Sequence, residues 1–381
     1  MKKVSLILII VLTLVFGFSL YASALDLQIK GAACLLADAQ TGEILYSQNA
    51  DAACFPASVT KLMTMTLALE AVNEGKFALT DIVTTSKEAA DMGGSQVYLY
   101  EGEQRTLQEM LIAVAVGSGN DAAYAVAEFI GGSYDNSIRM MNDKARELGM
   151  SGTHFVNPHG LHDAEHYTTA ADLCKLAFYS LHNTNITEYT SIYEYQFRPA
   201  PKALVLWNTN RLLKWYDGAI GLKTGFTKEA GYNLVSCAER NGIRLICVVL
   251  GVPERNGHFS ESMKLLNYGF NNYEFVSVYD AQSKICNVPV EFGEEESVAL
   301  ILKEQAGVLQ KKGESGEITA RIVFDERITA PVQAGDILGK MILLRDEQEL
   351  CSYDLFAEKN IEKAGFTTIF KRIFSHIAFS S

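Results

Sequence analysis

Strand-like runs on both sides of a helical middle leave this chain few ways to fold. Near the start, Ala32 to Ala37 and Glu43 to Tyr46 read as two strands around the turn residues Asp38, Thr41 and Gly42, which makes a hairpin. After Pro56, Ser58-Val59-Thr60-Lys61 opens a long run of Leu, Met, Thr and Ala that closes at Glu74-Gly75, which predicts a helix with Ser58 at its N-terminus. A second helix starts at the capping box Thr106-Leu107-Gln108-Glu109 and runs to Gly117. A third spans about Asp121 to Ile130, with Ser118-Gly119-Asn120 the tight link between the two. Strands return at Gly218 to Lys223, Tyr232 to Glu239 and Ile243 to Gly251. This order predicts an α+β region over residues 25–273. Beyond about Glu274 the texture changes to short alternating runs such as Val298 to Lys303, Ile318 to Phe324 and Ile337 to Leu344. They predict a small β-sandwich over residues 274–356.

Both ends point to a membrane. Lys2 and Lys3 precede an apolar run from Val4 to Leu20 that ends in Ala22-Ser23-Ala24, the small-x-small pattern of a secretory signal, residues 1–24, cut after Ala24. The alternative is an uncleaved anchor, although the run is short for a bilayer crossing. Either reading exports the remainder. Within residues 357–381, Phe366, Ile369, Phe370, Ile373, Phe374 and Ile377 recur at three- and four-residue steps, with Lys363, Lys371 and Arg372 off that stripe. This predicts either a last helix packed on a core or, as the composition favours, an amphipathic helix lying on the outer face of the membrane with its cations against anionic lipid. The formal charge of -12, with no basic stripe in the body, argues against nucleic acid as a partner. Seven cysteines are scattered without the spacing of a disulfide scaffold or zinc knuckle. A two-residue turn at Asn241-Gly242 pairs Cys237 with Ile246 and sends Cys247 to the other face, so no bridge is expected there.

Three short motifs carry the chemistry. Ser58 and Lys61, three apart on a helix, share a face, within reach for a lysine amine to take a serine proton. That requires a neutral lysine, which burial, the helix dipole and a second cation all favour. Ser118-Gly119-Asn120 lies between two helices, and Lys223-Thr224-Gly225 follows an apolar strand and precedes a hairpin. Each alone has an ordinary reading: a chance match from ordinary serine and lysine usage for the first, a helix cap for Ser118, a solvated strand-end lysine for the third. Together and in this order they resemble the penicillin-recognising serine enzymes, and within them the D-alanyl-D-alanine carboxypeptidases among the low-molecular-weight penicillin-binding proteins. The stretches Asn157-Pro158-His159-Gly160-Leu161, Tyr167-Thr168-Thr169-Ala170 with Asp172, and Asn208-Thr209-Asn210-Arg211-Leu212-Leu213 carry the resemblance further.

The resemblance implies a serine β-lactamase/DD-peptidase-like catalytic domain, the small β-domain and the terminal amphipathic helix. It implies a serine-type carboxypeptidase, with no cofactor, that removes the last D-alanine from peptidoglycan stem peptides and is inhibited by β-lactams. Ser58 would be the nucleophile and Lys61 the base, with Ser118 and Asn120 relaying protons and holding substrate. Lys223 and Thr224 would bind the terminal carboxylate. Backbone N–H groups of Ser58 and Phe226 would form the oxyanion hole, and Gly225 would let the substrate approach the strand. The E-x-x-L-N motif of class A β-lactamases is missing between Asn120 and Lys223, so deacylation of β-lactams should be slow. His162 stands where the resembling stretch is expected to carry proline.

Rivals remain at this stage. His154, His159, His162, Asp163 and His166 crowd together like metal ligands of a zinc peptidase, although their spacing matches no strict zinc signature. A DD-endopeptidase shares all the same motifs. A non-catalytic penicillin-binding sensor or scaffold would keep the fold without turnover.

Overall fold

The computed structural model describes residues 27–325, 327–370 and 372; the predicted signal, Lys371, and Ile373, Phe374 and Ile377 of the terminal stripe lie outside them. A five-stranded antiparallel sheet forms the centre, built from β1 (Ala33–Asp38), β2 (Ile44–Gln48) and three later strands. Between them come two small hairpins, β3 (Ile82–Thr84) with β4 (Gln104–Thr106) and β5 (Glu194–Arg198) with β6 (Leu204–Trp207). The sheet then adds β7 (Ala219–Thr227), β8 (Gly231–Arg240) and β9 (Ile243–Val252), in the order β2-β1-β9-β8-β7.

Strand alternation divides the core. Ala33, Leu35 and Ala37 of β1 join an apolar cluster on one face, whereas Cys34 and Leu36 join a second cluster on the other. The first face is covered by α1 (Lys61–Asn73), α2 (Leu107–Ala115), α3 (Asn120–Gly131), α4 (Tyr134–Glu147) and α5 (Ala170–Asn183). The second is covered by α6 (Gly257–Asn272), through Phe259, Leu265 and Leu266. Every residue from Lys61 to Leu69 is buried, as suits a helix apolar on all sides. Cys237 pairs with Ile246 in the first cluster and Cys247 lies in the second, as the two-residue turn requires; all seven cysteines are free thiols.

Two boundaries differ from the sequence reading in ways that matter for the site. Ser58 sits on a single 3-10 turn, Ala57–Thr60, that leads into α1. Strand β7 does not stop at Lys223 but continues to Thr227, because the ladder to β8 pairs Lys223 with Val235 and Phe226 with Tyr232.

Strands β10 (Tyr273–Tyr279), β11 (Lys284–Glu291), β12 (Ser297–Ile301), β13 (Ala306–Lys311), β14 (Ile318–Phe324), β15 (Ile328–Thr329), β16 (Ile337–Arg345) and β17 (Gln348–Ala357) form the C-terminal region. Six of them make a sheet in the order β14-β16-β17-β12-β11-β15, and β10 pairs with β13. Ala306 and Val308 of β13 share one apolar cluster with Val288, Leu300, Met341 and Leu355 of the larger sheet.

Candidate active site

Ser58 is held by backbone packing before any side chain is considered. Ala57 has φ 50°, a left-handed conformation that a non-glycine residue adopts only when its surroundings impose it. The constraint comes from Gly160, itself at φ +85°: a Cβ there would lie 1.8 Å from Ala57 O. From the other side, a Cβ on Gly225 would lie 2.7 Å from Pro56 O and 3.0 Å from Ser58 N. Two glycines thus let a loop and the strand β7 close on the turn that carries Ser58.

Lys61 is fully buried, and its Nζ has three partners: Ser58 Oγ at 2.9 Å, Asn120 Oδ1 at 2.7 Å and the His159 carbonyl oxygen at 2.7 Å. Two of these oxygens can only accept. A neutral amine has two N–H donors and one lone pair, so donating to Asn120 and His159 leaves the lone pair for the Ser58 hydroxyl proton. Burial first, and then the charge of Lys223, push the Lys61 pKa well below the usual lysine range, with Asp121 opposing. The geometry accommodates a neutral amine, and burial favours one.

Ser118 and Asn120 come from the link between α2 and α3. Asn120 is buried at the start of α3, and its Nδ2 donates to Gly93 O at 2.7 Å, which fixes the amide so that Oδ1 faces Lys61. Ser118, at φ 54°, accepts from Lys223 Nζ at 2.9 Å. Lys223 is buried and burial brings its pKa down to about 7. Its amine lies beneath β7, while the Thr224 side chain faces a groove of about 520 Å³ that also contains Ser58, Ser118 and Phe226. Strand β7 is the sheet's outer strand, so beside Ser58 it offers a free edge to an extended peptide.

All the residues predicted for the site, from Ser58 to Phe226, are brought to this groove or directly beneath it. Sequence reasoning missed three contributors. His159 acts through its carbonyl, and the turn that aims it is capped by Asn157 Oδ1, which accepts from Gly160 N at 2.6 Å. Thr209 shares a hydrogen bond with Thr224 at 2.6 Å. The exposed Arg211 lines the groove on the same side, its guanidinium over the Trp215 ring. The stretches containing them were visible as Asn-Pro-x-Gly and Asn-x-Asn turns, but a backbone carbonyl's role leaves no residue-type signal.

The histidines do not converge. His166 Nδ1 accepts from Val156 N at 3.0 Å, so its Nε2–H donates to Thr60 Oγ1 at 2.7 Å. His159 Nδ1 accepts from Leu161 N at 3.2 Å, and His154 Nδ1 meets Glu165 O at 2.6 Å. Burial lowers His159 to a pKa of about 3 and His166 to about 4, so both rings are neutral structural groups. Among the described residues no group of three His, Cys, Asp or Glu side chains is placed to hold a metal ion. His162 packs edge-on against Phe55 at 4.7 Å, and the loop that carries it keeps its hold on Lys61.

Comparison with known proteins places this geometry. Residues 21–254 match the D-alanyl-D-alanine carboxypeptidase family, and residues 273–363 match the C-terminal domain of penicillin-binding protein 5. The D-alanyl-D-alanine carboxypeptidase DacF of Bacillus subtilis is 38% identical over 378 residues, 97% of each chain. Penicillin-binding protein 5 from Haemophilus influenzae superposes with a TM-score of 0.67 at 32% identity, covering 88% of this chain and 98% of that one. Penicillin-binding protein D2 from Listeria monocytogenes, solved with ampicillin bound, covers 64% of this chain and 99% of its own, at 32% identity and a TM-score of 0.58.

Proposed function

The chain belongs to the D-alanyl-D-alanine carboxypeptidase family and is a serine enzyme of that class; on that premise we propose that it removes the last D-alanine of peptidoglycan stem pentapeptides through an acyl-enzyme on Ser58. The observation that carries the mechanism is the three-way contact of Lys61, which leaves its lone pair for Ser58. Ser58 Oγ attacks the carbonyl of the terminal peptide bond as its proton passes to Lys61 Nζ. The oxyanion takes the N–H groups of Ser58 and Phe226. The C–N bond breaks, and the departing D-alanine nitrogen takes its proton by way of the Ser118 hydroxyl, which Lys223 holds. Water, deprotonated by Lys61, then cleaves the ester.

Thr224, backed by Lys223 and faced by Arg211, is the reading for the terminal carboxylate, since a free chain end needs a fixed cation. β-Lactams enter as substrate mimics whose acyl-enzyme persists, a reading supported by the ampicillin-bound relative and by the missing E-x-x-L-N motif. The proposed location is the outer face of the cytoplasmic membrane. The signal-like N-terminus and the exposed Phe366 and Phe370 support it, and no described helix is long and apolar enough to cross a bilayer.

The test is D-alanine release from a soluble L-lysyl-D-alanyl-D-alanine peptide by the purified protein. Release that Ser58→Ala abolishes and a chelator leaves untouched is expected. Release stopped by the chelator would overturn the serine mechanism.

A further inference from the structure

A second groove, of about 680 Å³, begins where the catalytic groove ends. The two meet at Phe226 and Tyr232, whose rings stack 4.3 Å apart as the ridge between them. The wall of the second groove is apolar, formed in part by Ala53, Cys54, Phe55 and Pro253, and at its rim stand the exposed side chains of Lys228 and Glu229 on the turn after β7. Glu229 takes hydrogen bonds from its own amide N–H and from the Thr227 hydroxyl, not from Lys228. The rim presents one cation and one anion side by side, close enough for their charges to interact, and both are exposed.

Its position decides what reaches it, on the carboxypeptidase reading above. A peptide laid antiparallel along the free edge of β7, with its terminal carboxylate at Thr224 and its reacting carbonyl at Ser58, runs on past Phe226. At about 3.3 Å per residue, the residue preceding the two D-alanines lies over Thr227 and Lys228. In a stem peptide that residue is a diamino acid. Its methylenes match the apolar wall. A lysine side chain ends in an ammonium and would answer only Glu229, whereas a diaminodicarboxylic acid ends in an ammonium and a carboxylate on one carbon and answers both.

We propose that this groove is the subsite for the third-residue side chain of the stem peptide, and that Glu229 holds its ammonium while Lys228 selects a side chain ending in an α-ammonium carboxylate over lysine. An exposed ion pair contributes a factor of at most about five, and since both side chains carry the ammonium only the Lys228 contact separates them, so the preference is at most about fivefold.

The experiment compares kcat/KM for D-alanine release from two pentapeptides that differ only in carrying meso-diaminopimelate or L-lysine at the third residue, using the full-length enzyme and its Lys228→Ala and Glu229→Gln variants. The wild type is expected to favour the diaminopimelyl peptide by about three- to fivefold. Lys228→Ala should bring that ratio below about twofold by slowing the diaminopimelyl peptide, whereas Glu229→Gln should slow both peptides, since both carry the ammonium. Equal rates for the two peptides in the wild type, or a Lys228→Ala variant that slows both in the same proportion, would overturn the subsite and leave the carboxypeptidase standing. Release from neither peptide would overturn the carboxypeptidase reading, and this inference with it.

Discussion

Two lysine side chains lie buried within one site, and each has a cost that the fold carries at neutral pH. For Lys61 the cost is the mechanism: the amine is useful as a base because burial and Lys223 strip its proton. Arginine, which stays charged at any working pH, cannot replace it. Lys61→Arg should slow penicillin labelling of Ser58 by at least about a hundredfold at every pH between about 6 and 10, and recovery at high pH would contradict the base assignment. For Lys223 the consequence is thermodynamic. Its folded pKa of about 7 lies below the unfolded value of about 10.4, so between these the unfolded chain binds the extra proton and stability rises with pH, by up to about 1.4 kcal/mol per unit. Lys223→Met removes that slope. Urea midpoints of wild type and variant at pH 7 and pH 9.5 should show the wild type gaining relative to the variant as pH rises; a constant difference would mean that Lys223 stays charged. The spacing Ser58-x-x-Lys61 announced the pair at the level of residue types. The third partner of Lys61 did not, because a carbonyl belongs to every residue.

The elements were legible where pattern and cap agree. The capping box at Thr106 starts α2 in the structure, and the alternation of the last hairpin set its register and kept Cys237 and Cys247 on opposite faces. The extension of β7 to Thr227 was not legible, since Lys-Thr-Gly-Phe-Thr has no alternation and is held by its ladder to β8. Nor was the wall opposite β7, the segment from Gly93 to Tyr100, which holds no helix or strand. It is fastened by charge instead. Asp121, buried at the start of α3, accepts from Val97 N and Leu99 N at 3.1 and 3.0 Å. Arg198 donates to the carbonyls of Val97 and Tyr98 and pairs with the buried Glu103 at 2.7 Å. Ser95, in that segment, accepts from Asn120 N, so the fastening reaches the catalytic amide. Neutralising one partner of a buried pair leaves the other uncompensated. Glu103→Gln should therefore cost about 3 kcal/mol in urea unfolding and expose the Gly93–Tyr100 segment to limited proteolysis. Unchanged stability and an intact segment would show that Asp121 alone suffices.

At the scale of the whole molecule, an acidic body is joined to a basic, aromatic end. The catalytic region and the β-domain touch through Gly242 against the Phe275 ring. Within the β-domain, Tyr353 Oη donates to Gly307 O at 2.7 Å. Beyond β17, Phe366 and Phe370 are 82% and 57% exposed, which leaves apolar ring surface open to solvent. Arg372 donates to the Gly293 and Glu294 carbonyls, which ties the start of this end to the β-domain. The formal charge of -12 works against adsorption of the body to anionic lipid, so on the proposed location the apolar stripe, with Lys363 and Lys371 beside it, would supply the attachment. The protein should co-sediment with vesicles containing phosphatidylglycerol, with binding only partly released by salt because apolar burial is not screened. A chain ending at Gly365 should stay in the supernatant while releasing D-alanine from a soluble peptide at the full rate, since among the described residues no active-site contact involves the removed ones. Equal sedimentation of the shortened chain would move the attachment elsewhere. A large loss of turnover on the soluble peptide would instead make the terminal segment part of the catalytic fold.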